Sequence, residues 1–179
     1  MLRLIVMPTA SSYVVSLKSA APNALTCSIF KIPTLHITPT ATQISAAMVE
    51  DYKLATFKVS IEDDFILRLD EINQQLVRLF AVDQVKSAAF ITACNSFSQP
   101  TSDQENPAAP AEFEAEIRSF NLNFYPGQGE DLMGHWAAER SALIMGVSLE
   151  QATLLGVRYQ QNAIVWIGHY AKPQLLLLR

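Results

Sequence analysis

Apolar residues alternate with polar ones at Ala55, Phe57, Val59 and Ile61, with Thr56, Lys58 and Ser60 between them. A period of two predicts a half-buried strand. The acidic turn Glu62-Asp63-Asp64 follows, and Phe65, Leu67 and Leu69 alternate again, so the two pieces predict a hairpin. Ile72, Leu76, Leu79 and Phe80 then share one face of a helix that Asp70 is placed to cap. Ala88–Ala93 reads as a central strand. Phe113, Ile117 and Phe120 mark a second helix, with Pro110 as its first residue. Leu122–Tyr125 reads as a strand ended by Pro126 and the turn Gly127-Gln128-Gly129. Ala142–Val147 is another strand, and Ser148 with Gln151 makes a capping box that opens a third helix running to about Gln160. Ala163–Ile167 and Leu175–Leu178 close the chain as a hairpin.

The order is ββα, then βαββαβ, then a final β. It predicts an α+β fold with a mixed sheet, in which an N-terminal hairpin and helix precede a ferredoxin-like βαββαβ unit and a C-terminal strand. In such a unit the strands at 88–93 and 142–147 are antiparallel central neighbours. Asn95, just past the first, and Glu139, just before the third, then fall on one sheet edge. Asn162, at the head of the strand 163–167, reaches the same edge. Phe57, Leu67, Leu76, Phe90, Phe113, Ile117, Leu155 and Val165 occupy the apolar phases of their elements and are expected to form one core.

Composition divides the chain near residue 49. Residues 1–49 contain no Asp or Glu, twelve Ser or Thr, and four of the nine prolines. Residues 50–179 carry all 17 acids against 10 of the 13 Lys and Arg. A shift of this kind marks a boundary. The first part reads as a poorly ordered extension or a mis-assigned start ahead of a strand pattern that Met48 opens, as an edge strand or arm packed on the domain, or as a targeting segment. The second reads as a single α+β domain, and a chain starting at Met48 is expected to fold. The net charge of −4, with no Lys/Arg cluster, speaks against nucleic acid or an anionic membrane surface as partner. No apolar run approaches the roughly 18 residues of a membrane span. Cys27 and Cys94 make no metal spacing and no disulfide framework, which suits two thiols in a reducing cytoplasm. No cofactor motif is present: there is no phosphate-binding glycine loop and no His/Cys/Asp ligand spacing.

The stretch FITACNSFSQPTSDQEN at 90–106 delivers a polar loop from the end of a strand. Ser102 and Glu105 have capping-box spacing, which accounts for both without a ligand, while Asn95, Ser98, Gln99 and Asn106 remain without a structural role. Side chains that both donate and accept suit an uncharged or phosphorylated small molecule. In RYQQNAIVW, Gln161 and Asn162 sit between helix and strand, where Asn162 suits the left-handed conformation and a buried amide requires partners. Glu139, three residues after Trp136, is the best candidate for acid–base chemistry, since an indole beside a carboxyl raises its pKa. Glu105 is the second candidate carboxylate. Cys94 with His135 as a base is a further, less favoured pairing, because a small residue ending a strand is usually packing.

These three motifs together (FITACNSFSQPTSDQEN, the Trp, Glu and Ser of HWAAERSALIMG, and RYQQNAIVW) resemble the uncharacterised bacterial family known as domain of unknown function 3293, over about residues 50–179. The resemblance implies a bacterial, stand-alone soluble domain and brings no activity, substrate or cofactor. It implies interest in Asn95, Ser98, Ser102, Glu105 and Asn106, in Trp136, Glu139 and Ser141, and in Gln161 and Asn162. The chain departs from the family pattern in having Ser96 after Asn95 where a proline is expected. It also has Pro107 and Pro110 where an Arg and an Asn are expected. Two function classes follow: a module that binds a small polar ligand, or a hydrolase or transferase using Glu139 or Glu105 as general acid or base. The lack of a nucleophile–base pair favours binding.

Overall fold

A computed structural model describes residues 14–15, 37–38, 44–98, 109–130 and 138–179. In chain order the elements are β1 (Val14–Val15), β2 (Ile37–Thr38), α1 (Ala46–Leu54), β3 (Thr56–Val59), β4 (Phe65–Leu67), α2 (Gln74–Val82) and β5 (Ala88–Thr92). There follow α3 (Ala109–Ser119), β6 (Phe124–Glu130), β7 (Glu139–Met145), α4 (Leu149–Arg158), β8 (Ala163–Ile167) and β9 (Pro173–Leu177). Strands β1 and β2 pair with each other, and the other seven form one sheet in the order β4-β3-β6-β7-β5-β8-β9.

The stretch β6-β7-β5-β8 is the strand order of a ferredoxin-like unit, with α3 and α4 as its two crossovers. Every adjacent pair in the sheet is antiparallel, so the expected mixed sheet is not mixed. Each helical crossover skips one strand position, and the parallel strands it joins never become neighbours. The sheet curls until its two edges approach. The Asp70 N–H beyond β4 donates to the Pro173 carbonyl at the start of β9 (2.8 Å), and the Asn73 N–H donates to the Ala171 carbonyl (2.9 Å).

Curling gives the sheet an outer face and a concave inner face, and the single expected core is two. Phe113, Ile117 and Leu155 pack from α3 and α4 on the outer face against Ala89, Ile91, Ala142 and Ile144. Leu67, Leu76, Phe90 and Val165 pack with Val59, Leu143 and Met145 on the concave face, and Phe57 lies partly buried against them. Successive strand residues point to opposite faces, so the apolar phases of β5 and β7 cannot meet in one cluster.

Several local expectations shift for physical reasons. The segment from Met48 opens a helix, with the Ser45 side chain accepting from the Met48 N–H (3.2 Å). Helix α1 therefore spans the boundary expected at residue 49, and Ile44 is buried ahead of it. The cap of α2 is Asn73, whose Oδ1 accepts from the Leu76 N–H (3.1 Å), while Asp70 is a left-handed turn residue and Ile72 is exposed. Phe120 lies past the end of α3 and is exposed. Strand β6 runs straight through Pro126 and the expected Gly-Gln-Gly turn. The Pro126 carbonyl accepts from Ser60 on the β3 side, just past the last β3–β6 pair at Val59 and Gly127. The N–H that proline lacks would point to that same side, so the β6–β7 ladder loses nothing. Gly127 is needed there, because a Cβ would stand 2.5 Å from the Phe90 ring and 2.8 Å from the Lys58 carbonyl. Among the described residues, no helix is long and apolar enough to cross a membrane.

Candidate functional site

Along each central strand the concave-facing residues change character halfway. In β5 they run Ala88, Phe90, Thr92, and in β7, read in the antiparallel direction, Met145, Leu143, Ser141, Glu139. In β6 they run Tyr125, Gly127, Gly129, and in β8 Ile167, Val165, Ala163. One end of the concave face is thus large and apolar, and α2 fills it with Leu76 and Phe80. The other end is small or polar, and it leaves a cavity of about 220 Å³. Its floor is Phe57 and Phe90, packed edge to face at 5.7 Å between ring centroids. Its cover is the face of α1 formed by Met48, Asp51 and Tyr52, three or four residues apart, with the C-cap residue Ala55 beside them.

Asn95 and Glu139 meet in this cavity. The Asn95 Nδ2 donates to the Glu139 Oε1 at 2.7 Å, across 44 residues of chain. Glu139 is the first residue of β7 rather than a residue ahead of the strand, because β7 begins three residues before the expected start. Its carboxyl is held above its usual pKa by burial, and the Asn95 hydrogen bond works in the opposite direction. The neighbouring Ser141 is buried, and its Oγ donates to the Glu139 backbone carbonyl (3.1 Å). Thr92 Oγ1 donates to the Arg140 carbonyl (2.9 Å) and accepts from the Cys94 N–H (2.9 Å). The Ser141 and Thr92 hydroxyls therefore both donate to backbone groups.

Gln161 and Asn162 are both buried and both border the cavity. Gln161 Nε2 donates to the carbonyls of Cys94 (2.9 Å) and Tyr159 (3.0 Å), tying the loop after β5 to the end of α4. The left-handed residue that ends this helix is Gln160, with φ of 54°, and not Asn162. Asn162 stands just ahead of β8, and its Nδ2 donates to the Tyr52 hydroxyl at 3.1 Å, which holds α1 over the cavity. Ser98 ends a short 3-10 turn, Ser96–Ser98, at the cavity's loop. Ser102, Glu105, Asn106 and Trp136 lie outside the described residues.

The residues that sequence reasoning missed are Asp51 and Tyr52 of α1, Thr92, and the small residues Gly129 and Ala163. The spacing of Met48, Asp51, Tyr52 and Ala55 was a helical signal, hidden because Ala55 also begins the alternating run of β3. Glu130 borders the cavity too, but strand alternation sends its carboxylate to the outer face with Lys58. There the Asp64 hydrogen bond, and more weakly the Glu130 charge, hold the Lys58 ammonium above its usual pKa. Among the described residues, no three His, Cys, Asp or Glu side chains converge to hold a metal ion.

A family model described as "Protein of unknown function (DUF3293)" matches residues 91–164, from β5 to the start of β8. The chain resembles that family across the stretch that supplies Asn95, Glu139, Ser141, Gln161 and Asn162. No curated protein and no solved structure matches the chain.

Proposed function

We propose that the protein is a binding module for a small polar ligand, held in the cavity between α1 and the polar half of the concave face. The observation that carries this reading is the cavity itself. Asn95, Glu139, Ser141, Gln161 and Asn162 reach it from three chain segments, beside an apolar floor. A concave, partly apolar site with a few convergent polar groups is the usual form of a ligand pocket. Its volume of about 220 Å³ lies under the roughly 300–1,000 Å³ of drug-sized sites, which suits a compact metabolite. A thermal-shift screen of amino acids, amines, nucleosides and small sugars tests it, because a ligand that binds only the folded state raises the midpoint. The shift should vanish in Ala163→Leu, whose side chain would occupy the cavity. A shift that survives this substitution would place the ligand elsewhere.

A second reading, a hydrolase or transferase with Glu139 as general acid, is favoured by the raised pKa of that carboxyl. Against it, the Ser141 and Thr92 hydroxyls donate to backbone carbonyls and not to a base. Turnover of a screened ligand that is lost in Glu139→Gln would establish it.

A further inference from the structure

We infer that the ligand of this cavity carries a cationic nitrogen, an ammonium or guanidinium, on a small apolar body. The inference rests on the reading of the cavity as a ligand site. Two carboxylates face it, Asp51 from the cover and Glu139 from the floor of the sheet. Neither has a cationic partner among the described residues. Asp51 makes no hydrogen bond or ion pair there, and Glu139 receives one amide donor, Asn95.

A second depression, on the outer face, shows the contrast. Of its two carboxylates, Glu112 is exposed, while the half-buried Glu116 accepts from the Tyr159 hydroxyl (2.8 Å) on one oxygen and pairs with Arg158 (2.8 Å) on the other. Glu114 likewise pairs with Arg118 and Arg140. The cavity carboxylates are left to a partner that the described chain does not supply. No Lys, Arg or His is among the described lining residues. Arg179 comes up beside Asn162, its Nη1 reaching Asn162 Oδ1 at 3.5 Å, while its guanidinium stacks on the Phe97 ring, 4.3 Å from the centroid.

The rest of the lining fits the same chemistry. Tyr52, Phe57 and Phe90 offer aromatic surface, and an aromatic face attracts a cation. Low-dielectric walls strengthen the field of the two carboxylates inside the cavity. That field opposes a phosphate or carboxylate ligand, so of the uncharged and phosphorylated classes expected from the loop residues, the phosphorylated one is disfavoured. Burial that raises the Glu139 carboxyl is relieved by a cation beside it.

Benzylamine, benzyl alcohol and benzoate share one body and differ in charge, and they separate the alternatives. Binding of each is measured by ligand-observed NMR to the full chain, to Ala163→Leu, and to Glu139→Gln and Asp51→Asn. The expected result is that benzylamine binds and the other two bind at least about tenfold more weakly. Ala163→Leu should abolish benzylamine binding, and each carboxylate variant should weaken it by about tenfold to a hundredfold, the worth of a hydrogen bond to a charged group. Preferred binding of benzoate or benzyl alcohol, sensitive to Ala163→Leu, would overturn the cationic assignment and leave the pocket reading standing. Benzylamine binding indifferent to both carboxylate variants would overturn it equally. If none of the three binds in an Ala163→Leu-sensitive way, the assignment and the pocket reading both fall. Melting of each variant beside the parent chain confirms that it is folded.

Discussion

Two nine-residue helices cover the two ends of the concave face. Helix α1 is capped by Ser45 and α2 by Asn73, each through the same side-chain bond to the N–H three residues on. Local sequence makes them alike, and tertiary contact makes them different. Helix α2 buries Leu76 and Phe80 in the apolar end and belongs to the core. Helix α1 has no buried residue and is tied down by the Tyr52–Asn162 hydrogen bond. The difference lies in the sheet beneath them. Where the concave residues are Val59, Leu143 and Met145, a helix must supply apolar volume. Where they are Thr92, Gly129, Ser141 and Ala163, it roofs a space. Stability is concentrated at one end, and the capacity to bind is concentrated at the other.

The sharpest way to break this comparison is to truncate one residue under each helix. Leu76→Ala should cost about 2–5 kcal/mol in urea denaturation, because a fully buried leucine leaves a cavity that the sheet cannot collapse to fill. Met48→Ala, on the inner face of α1, should cost under about 1 kcal/mol. Equal costs would make α1 part of the core.

Two glycines on one strand give the next contrast. Gly127→Ala should cost about 1–3 kcal/mol by overpacking against Phe90 and the Lys58 carbonyl. At Gly129 a Cβ would meet only Ser141 Oγ at 3.7 Å, so Gly129→Ala should stay within about 0.5 kcal/mol. A large loss at Gly129 would mean that the cavity end is packed as tightly as the other.

The tie on α1 should be worth about 0.5–1.5 kcal/mol, as read from Tyr52→Phe. Amide hydrogen exchange should then quicken in α1 and leave α2 unchanged. Uniform quickening would show that the two helices unfold as one unit.

The smallest effect is electrostatic and concerns Glu139. Its folded pKa lies above the ordinary value of 4.5, so in the window between the two the folded chain binds a proton that the unfolded chain does not. Stability contributed by this group is full below 4.5 and is lost as pH rises through the folded pKa. Glu139→Gln should therefore raise the melting midpoint at neutral pH, with the gain disappearing as the pH falls below the ordinary carboxyl range. A gain that persists in acid would point to packing and not to charge.

Much of this molecule was legible in its one-dimensional pattern. The alternation in β3 and β4, the capping box at Ser148 and Gln151, and the βαββαβ order depend on near neighbours, and local pattern reports them. From that order alone, Asn95 and Glu139 could be assigned to one edge, because antiparallel neighbours place the end of one strand beside the start of the other. What tertiary structure decided is the rest. The curl of the sheet split the core in two, and Pro126 became tolerable only because β3 ends beside it. The cavity is an absence of side-chain volume shared among strands β5, β6, β7 and β8, and no window of sequence contains it. Asp51 and Tyr52 acquired their place in it only when Asn162, 110 residues beyond Tyr52, closed the hydrogen bond that sets α1 across the opening.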